Sequence, residues 1–238
     1  MKLHKFLAAT ALMLAVVLTL APGAGAQGHF KVVYAFRGSD GQQPRAGLVF
    51  DVAGNLYLTT AAGGIGGCWF YGGYGCGTVV KLAPNPDGSW TESVLYTFTG
   101  GEDGGNPWST LLFDAAGNLY GTTMYGGAYG NGAVFELSPT PDGSWTEGVL
   151  HSFIGADGAQ PSGALTFDTA GNLYGTAENG GAYDHGALYT LTPNLDGTWT
   201  QQVLHSFTGG KDGARPSRNG ALIFDAAGNL WTKRRLLV

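Results

Sequence analysis

Cys68 and Cys76 are the two cysteines of this 238-residue chain, and four aromatic residues, Trp69, Phe70, Tyr71 and Tyr74, lie between them. Two thiols at this spacing can hold a metal, cycle as a redox pair or close a disulfide. A metal site wants further ligands that do not accompany them, and a reactive pair normally sits closer. In an exported chain the disulfide is the natural outcome. Clamped in this way, the loop presents flat apolar rings to a sugar or peptide and has little freedom left to lose on binding. The alternative is that the four rings cover the glycine-rich surface beneath them.

The other candidates are acidic residues and histidines. Asp51, Asp114, Asp168 and Asp225 recur at one place in a repeating pattern, as do Asp40, Asp103, Asp157 and Asp212. A catalytic carboxylate is needed once, whereas a turn-forming one is needed in every unit, so repetition points to turns. A calcium ion would need six to eight oxygens, and one Asp per loop is a thin start. His151 and His205 stand where Tyr34 and Tyr96 stand in the neighbouring units and read as strand residues. Asp184 and His185, with Glu178 nearby, are the one-off residues from which an acid–base or metal cluster is conceivable; loop decoration is the simpler reading. No catalytic, cofactor-binding or metal-ligating residue is assigned, and no cofactor is expected.

What positions all of these is a tandem repeat. Phe36, Phe98, Phe153 and Phe207 each open a segment that continues through Asp-Gly, then Pro44, Pro107, Pro161 or Pro216, then Phe-Asp-x-Ala-Gly-Asn-Leu. Self-similarity at a fixed period of about 54 residues outranks other clues to fold. Each unit divides into four short strands with Gly-rich turns between them. The expected fold is all-β, a β-propeller-like array of four-stranded blades. The longest departure is the Cys68–Cys76 loop itself, an expansion of the link between the second and third strands of the first unit. In an up-and-down blade that link shares a face with the connections between units, where variation tends to carry function.

Residues 1–26 have a basic start, an apolar run from Phe6 to Leu20 and Ala24-Gly25-Ala26, the pattern of an export signal. The expected organisation is therefore a signal peptide over 1–26, the repeat domain over 27–231 with three full units and a partial fourth, and an off-pattern tail over 232–238. Lys31–Phe36 matches the fourth-strand segments and is expected to complete a last blade. The pattern breaks after Trp231, so the array is expected to be incomplete at its C-terminus, through truncation or frameshift. Were the chain complete, self-association would be the route to closure. After signal cleavage no transmembrane segment is expected. The net charge is -5, and its basic residues are scattered, which argues against a nucleic-acid partner.

The run Phe-Asp-x-Ala-Gly-Asn-Leu-Tyr-Gly-Thr, the Gly-Gly loop and Asp-Gly-Ser-Trp-Thr before Val-Leu resemble the GloVer-type, or choice-of-anchor, tandem-repeat proteins. The resemblance implies an exported bacterial protein, secreted or at the cell surface, and brings no catalytic motif and no assigned activity. The first functional expectation is a non-catalytic surface module that binds an extracellular glycan or protein through the variable loop face. The second is an extracellular polysaccharide lyase or hydrolase on a propeller scaffold; the third is a truncated remnant of a longer repeat protein.

Overall fold

Each of the four blade sheets is organised by one aspartate. Asp51 Oδ1 accepts the backbone N–H groups of Ala53 and Asn55, both at 2.9 Å, while Oδ2 accepts Asn55 Nδ2 at 2.7 Å and Tyr57 Oη at 3.0 Å. Asp114 and Asp168 repeat the set with Tyr120 and Tyr174, and Asp225 repeats it with Trp231 Nε1 in place of the phenol. Burial alone would raise the Asp51 and Asp168 carboxyls, but these bonds outweigh it and hold both below the ordinary range. Four bonds to one side chain make the hairpin a rigid corner, so the recurring aspartates are turn builders.

The computed structural model describes residues 31–70, 73–216, 220, 222–232 and 235–236. The export signal expected over 1–26 and Tyr71 of the clamped loop lie outside them. In the first unit β1 (Val49–Phe50), β2 (Leu56–Thr60), β5 (Thr78–Pro84) and β6 (Trp90–Thr97) form one antiparallel sheet in that order; β3 (Trp69–Phe70) and β4 (Gly73–Tyr74) form a separate hairpin. The second sheet contains β7 (Gly105–Pro107), β8 (Leu112–Phe113), β9 (Leu119–Tyr125), β10 (Ala133–Pro139) and β11 (Trp145–Ser152). The third repeats it with β12 (Ala159–Pro161), β13 (Thr166–Phe167), β14 (Leu173–Asn179), β15 (Ala187–Pro193) and β16 (Trp199–Ser206). The fourth holds β17 (Leu222–Phe224), β18 (Leu230–Thr232) and β19 (Arg235–Leu236).

The sheets are propeller-like blades stacked face against face. Tyr57 of the first meets Phe113 and Trp145 of the second edge-on, at 5.0 and 6.5 Å between ring centroids. Tyr120 meets Phe167 and Trp199 of the third at 5.1 and 6.4 Å, and Tyr174 meets Phe224 of the fourth at 5.1 Å. The main core clusters therefore lie between consecutive blades, and each such ring pair adds about 1 kcal/mol to what its burial supplies. Within a blade, β9 is buried along nearly its whole length, whereas β11 alternates between exposed and half-buried residues. The fourth strand is thus the outer edge.

Three features depart from the sequence reading. The first strand of blades two and three is split, because β7 and β8 both pair with β9 while the chain between them buries Trp108, Ser109 and Leu111. In the middle of β7 and β12, Asn106 and Gln160 take left-handed φ of 55° and 54°, and the pairing ends one residue later at Pro107 and Pro161. Lys31–Phe36 forms no strand, contrary to expectation. Tyr34 and Phe36 still make the ring contact of a fourth strand, 5.2 Å against 5.1 Å for Tyr96 and Phe98; among the described residues no neighbouring strand offers them a ladder. Finally, Arg235–Leu236 pairs with Trp231 and Thr232, so a short third strand stands where the repeat pattern breaks.

One cross-strand position shows how the blades exchange volume. Leu58 faces Val80 in the first blade, Gly121 faces Phe135 in the second and Gly175 faces Tyr189 in the third. A Cβ on Gly175 would strike the Tyr189 ring, so glycine here is the space for the aromatic opposite. Tyr189 is fully buried and its Oη has no hydrogen-bond partner among the described residues. Tyr189→Phe, which installs the residue already used in blade two, is expected to raise stability by about 1 kcal/mol by removing an unsatisfied polar group. Urea denaturation followed by tryptophan fluorescence measures this, and a loss of that size would show the hydroxyl to be bonded.

Candidate binding face

The loop face is assembled by bonds that cross from one blade to the next. Asn106 N–H points away from its own sheet and donates to the carbonyl of Cys76 at 2.6 Å. Gln160 N–H donates to Asn131 at 2.8 Å and Arg215 N–H to His185 at 2.7 Å. The three donors precede prolines and sit at left-handed φ, a conformation that costs roughly 1–3 kcal/mol for a residue other than glycine. A second rung runs between the loops, from Gly64, Gly127 and Gly181 N–H to the carbonyls of Gly38, Gly101 and Gly155, each at 2.9 Å.

The junctions between blades carry the second set of repeated aspartates. Asp103 accepts Thr99 N–H at 2.7 Å, Thr99 Oγ1 at 2.6 Å and Tyr96 Oη at 3.2 Å. At the next two junctions histidine takes the tyrosine's place: His151 Nε2 lies 2.8 Å from Asp157 Oδ2, and His205 Nε2 lies 3.1 Å from Asp212 Oδ2. Each ring also packs edge-on against Phe153 or Phe207. These histidines fasten strand ends to the following turn. The Thr208 bonds hold the half-buried Asp212 carboxyl down to about 2.

The expanded loop of the first blade is a hairpin tied at its root. Cys68 and Cys76 form a disulfide with a Cα–Cα distance of 4.9 Å, and Cys76 is fully buried in the core between blades one and two. Gly75 N–H donates to Cys68 C=O at 2.9 Å and Gly63 N–H to Tyr74 C=O at 2.8 Å. Above this root Trp69 pairs in register with Tyr74 and Phe70 with Gly73. Tyr74 is 60% exposed. The disulfide packs against Gly100 and Gly105, so the next inter-blade turn is fixed by the same clamp.

The one-off polar residues of blade three do not assemble into a cluster. Asp184 Oδ1 accepts Gly180 N–H at 3.0 Å and so closes its own turn, His185 lies exposed against Gly209, and Glu178 is buried. Among the described residues no three of His, Cys, Asp and Glu come together as a metal would require.

Two residues that sequence reasoning passed over belong to this face. Tyr129 and Tyr183 occupy the place of Tyr74 in blades two and three, and they are 64% and 59% exposed. The signal was present as Gly-Gly-Ala-Tyr in both units. In the first unit it is masked by the insertion, which separates Gly63-Gly64 from Tyr74.

The sequence profile of the Gloeobacter/Verrucomicrobia repeat matches residues 15–235. The chain belongs to that family. No curated protein matches it. Among solved structures it is similar to a gluconolactonase of Xanthomonas campestris, at 17% identity and a TM-score of 0.44 over 78% of this chain and 52% of the other. It is also similar to a protein of unknown function from Dyadobacter fermentans, at 14% identity and a TM-score of 0.47 over 83% and 63%. This chain thus spans about half to three fifths of those proteins, and no activity passes from either to it. For this member of the Gloeobacter/Verrucomicrobia repeat family, the disulfide fits an extracellular setting. Among its described residues no helix is long and apolar enough to cross a membrane.

The junction of blades one and two also holds a titratable strain. Glu147 on β11 is pushed up to about 7, first by burial and then by the Asp103 carboxylate, and its Oε1 has no hydrogen-bond partner among the described residues. In blade three the same position is Gln201, whose amide donates to Asp157 C=O at 3.3 Å. Because the folded-state pKa lies above the ordinary 4.5, the folded chain binds the proton more tightly. Its contribution to stability is whole below about pH 4.5 and is lost as pH rises through 7. Glu147→Gln is expected to gain about 1 kcal/mol at pH 8, after discounting for solvent screening, and nothing at pH 4. This corresponds to roughly 2–4 °C in Tm; an equal change at both pH values would show that the charge is not its source.

Proposed function

We propose that the protein is an exported, non-catalytic glycan-binding module whose primary contact is the disulfide-tied hairpin carrying Trp69, Phe70, Tyr71 and Tyr74. The observation that carries this reading is the hairpin itself. It is an addition to the repeat, rooted in the core through buried Cys76 and raised on the face where the loops gather. A loop inserted only to cover its blade needs neither a covalent tie nor a tyrosine left in solvent.

The chemistry suits a neutral sugar. Aromatic faces take the C–H face of a pyranose, the tyrosine hydroxyl bonds a sugar hydroxyl, and the disulfide removes ordering entropy in advance. The ionisable residues around the face are mainly acidic, including Asp103, Asp184 and Glu102, which disfavours an anionic ligand. The export-like segment over 1–26 and the disulfide both support work outside the cell.

Affinity electrophoresis of the intact chain through gels containing amylose, hydroxyethylcellulose, β-1,3-glucan, xylan or galactomannan is the test. At least one polymer is expected to retard the protein. The pair Cys68→Ser and Cys76→Ser should cost about 2–3 kcal/mol of stability and weaken binding roughly tenfold at a temperature where the variant remains folded. Retardation by none of the polymers, with capture of a protein partner instead, would overturn the glycan reading. Release of reducing ends or unsaturated sugars by the intact chain would overturn the non-catalytic one.

A further inference from the structure

Tyr74, Tyr129 and Tyr183 follow one another at 55 and 54 residues, the step of the repeat. Their backbones are set alike. Each is followed by a left-handed residue, Gly75 at φ 94°, Gly130 at 76° and Asp184 at 57°. Each stands two residues before the carbonyl, of Cys76, Asn131 or His185, that receives the next blade's N–H. In blades two and three the preceding alanine amide is held by a serine hydroxyl, Ala128 by Ser152 at 3.2 Å and Ala182 by Ser206 at 3.1 Å. One crossing bond therefore fixes where each ring is carried.

Nothing in the blade requires an aromatic there. The three rings are 60, 64 and 59% exposed, the turn is made by the left-handed residue that follows, and the two positions after each tyrosine change from blade to blade. Gly130 gives way to Asp184, and Asn131 to His185 or Cys76. Buried residues recur from blade to blade because packing demands it; an exposed aromatic that recurs amid changing neighbours answers to something outside the chain.

We propose that Tyr74, Tyr129 and Tyr183 are successive subsites for one neutral polysaccharide strand laid across the loop face from blade to blade. This inference rests on the glycan reading of the hairpin and extends it from a single contact to a repeating ligand. A polymer of identical units is what a row of identical platforms fits, whereas a folded protein surface offers no such recurrence. A tyrosine also supplies a broad, rigid contact with only two side-chain torsions to order. The acidic surround, with Asp40, Asp103, Asp157, Asp184 and Asp212 against Arg37, Lys211 and Arg215, disfavours a polyanion. Linked subsites multiply, so affinity grows with ligand length until all the rings are engaged.

The experiment measures the intact chain against a size series of the retarding polymer, from disaccharide to full length, by calorimetry. Hyaluronate serves as the polyanion control. Affinity for the polymer is expected to exceed that for the disaccharide by about a hundredfold. The double variant Tyr129→Ala with Tyr183→Ala should lose at least about tenfold for the polymer, with Tm unchanged because both rings are exposed. Tyr129→Phe with Tyr183→Phe should retain most of the polymer affinity.

Length-independent affinity, or a double alanine variant that binds polymer like the parent, overturns the array and leaves the hairpin reading standing. Equal affinity for hyaluronate overturns the neutral-ligand assignment. Failure of the parent to bind any neutral glycan sinks the hairpin reading and the array together.

Discussion

The structure depends on an amide that its own sheet cannot satisfy. Asn106 in β7, Gln160 in β12 and Arg215 in the bend before the fourth blade are turned to left-handed φ ahead of proline, and their N–H groups reach a carbonyl of the preceding blade. A buried amide without a partner is expensive, so the unfavourable backbone conformation and the crossing bond must stand or fall together. That single constraint ties consecutive blades together and pins the end of the loop in each of the first three blades. The aromatic contacts between blades then fill the gap between them.

From this follows the division of labour between the two ends of the blade. At one end four bonds to Asp51 or its equivalents make a corner that differs little from unit to unit. At the other end the loop is anchored at its two glycines and at the latching carbonyl, and the residues between are free to vary. The first blade uses that freedom for a hairpin tied by Cys68 and Cys76, the second and third for a plain turn, without disturbing the latch. Variation between blades is thereby confined to places the fold does not use.

Much of the architecture was legible in the sequence because it is repeated. Period, strand number and the turn role of Asp51, Asp114, Asp168 and Asp225 follow from recurrence, and the disulfide from two cysteines in an export-like chain. What stayed hidden involves contacts between units. A pre-proline residue at left-handed φ has no mark in a one-letter code, so the split of the first strand was missed. Lys31–Phe36 matched a strand in residue types, yet a strand exists only where another chain segment pairs with it. Tyr129 and Tyr183 have no mark of their own in the sequence, because the first three units share the residue.

The exchange of volume at Leu58 and Val80, Gly121 and Phe135, and Gly175 and Tyr189 bears on how such a chain avoids mistaking its own parts for one another. Near-identical units are prone to pair a strand with the wrong neighbour while folding. Carrying Leu58 into the second blade would drive it into the Phe135 ring, since even a Cβ at Gly121 finds no room there, and carrying Gly121 into the first would leave a void beside Val80. The rung thus sets the strands of blade one apart from those of blades two and three, which share the glycine-opposite-aromatic arrangement.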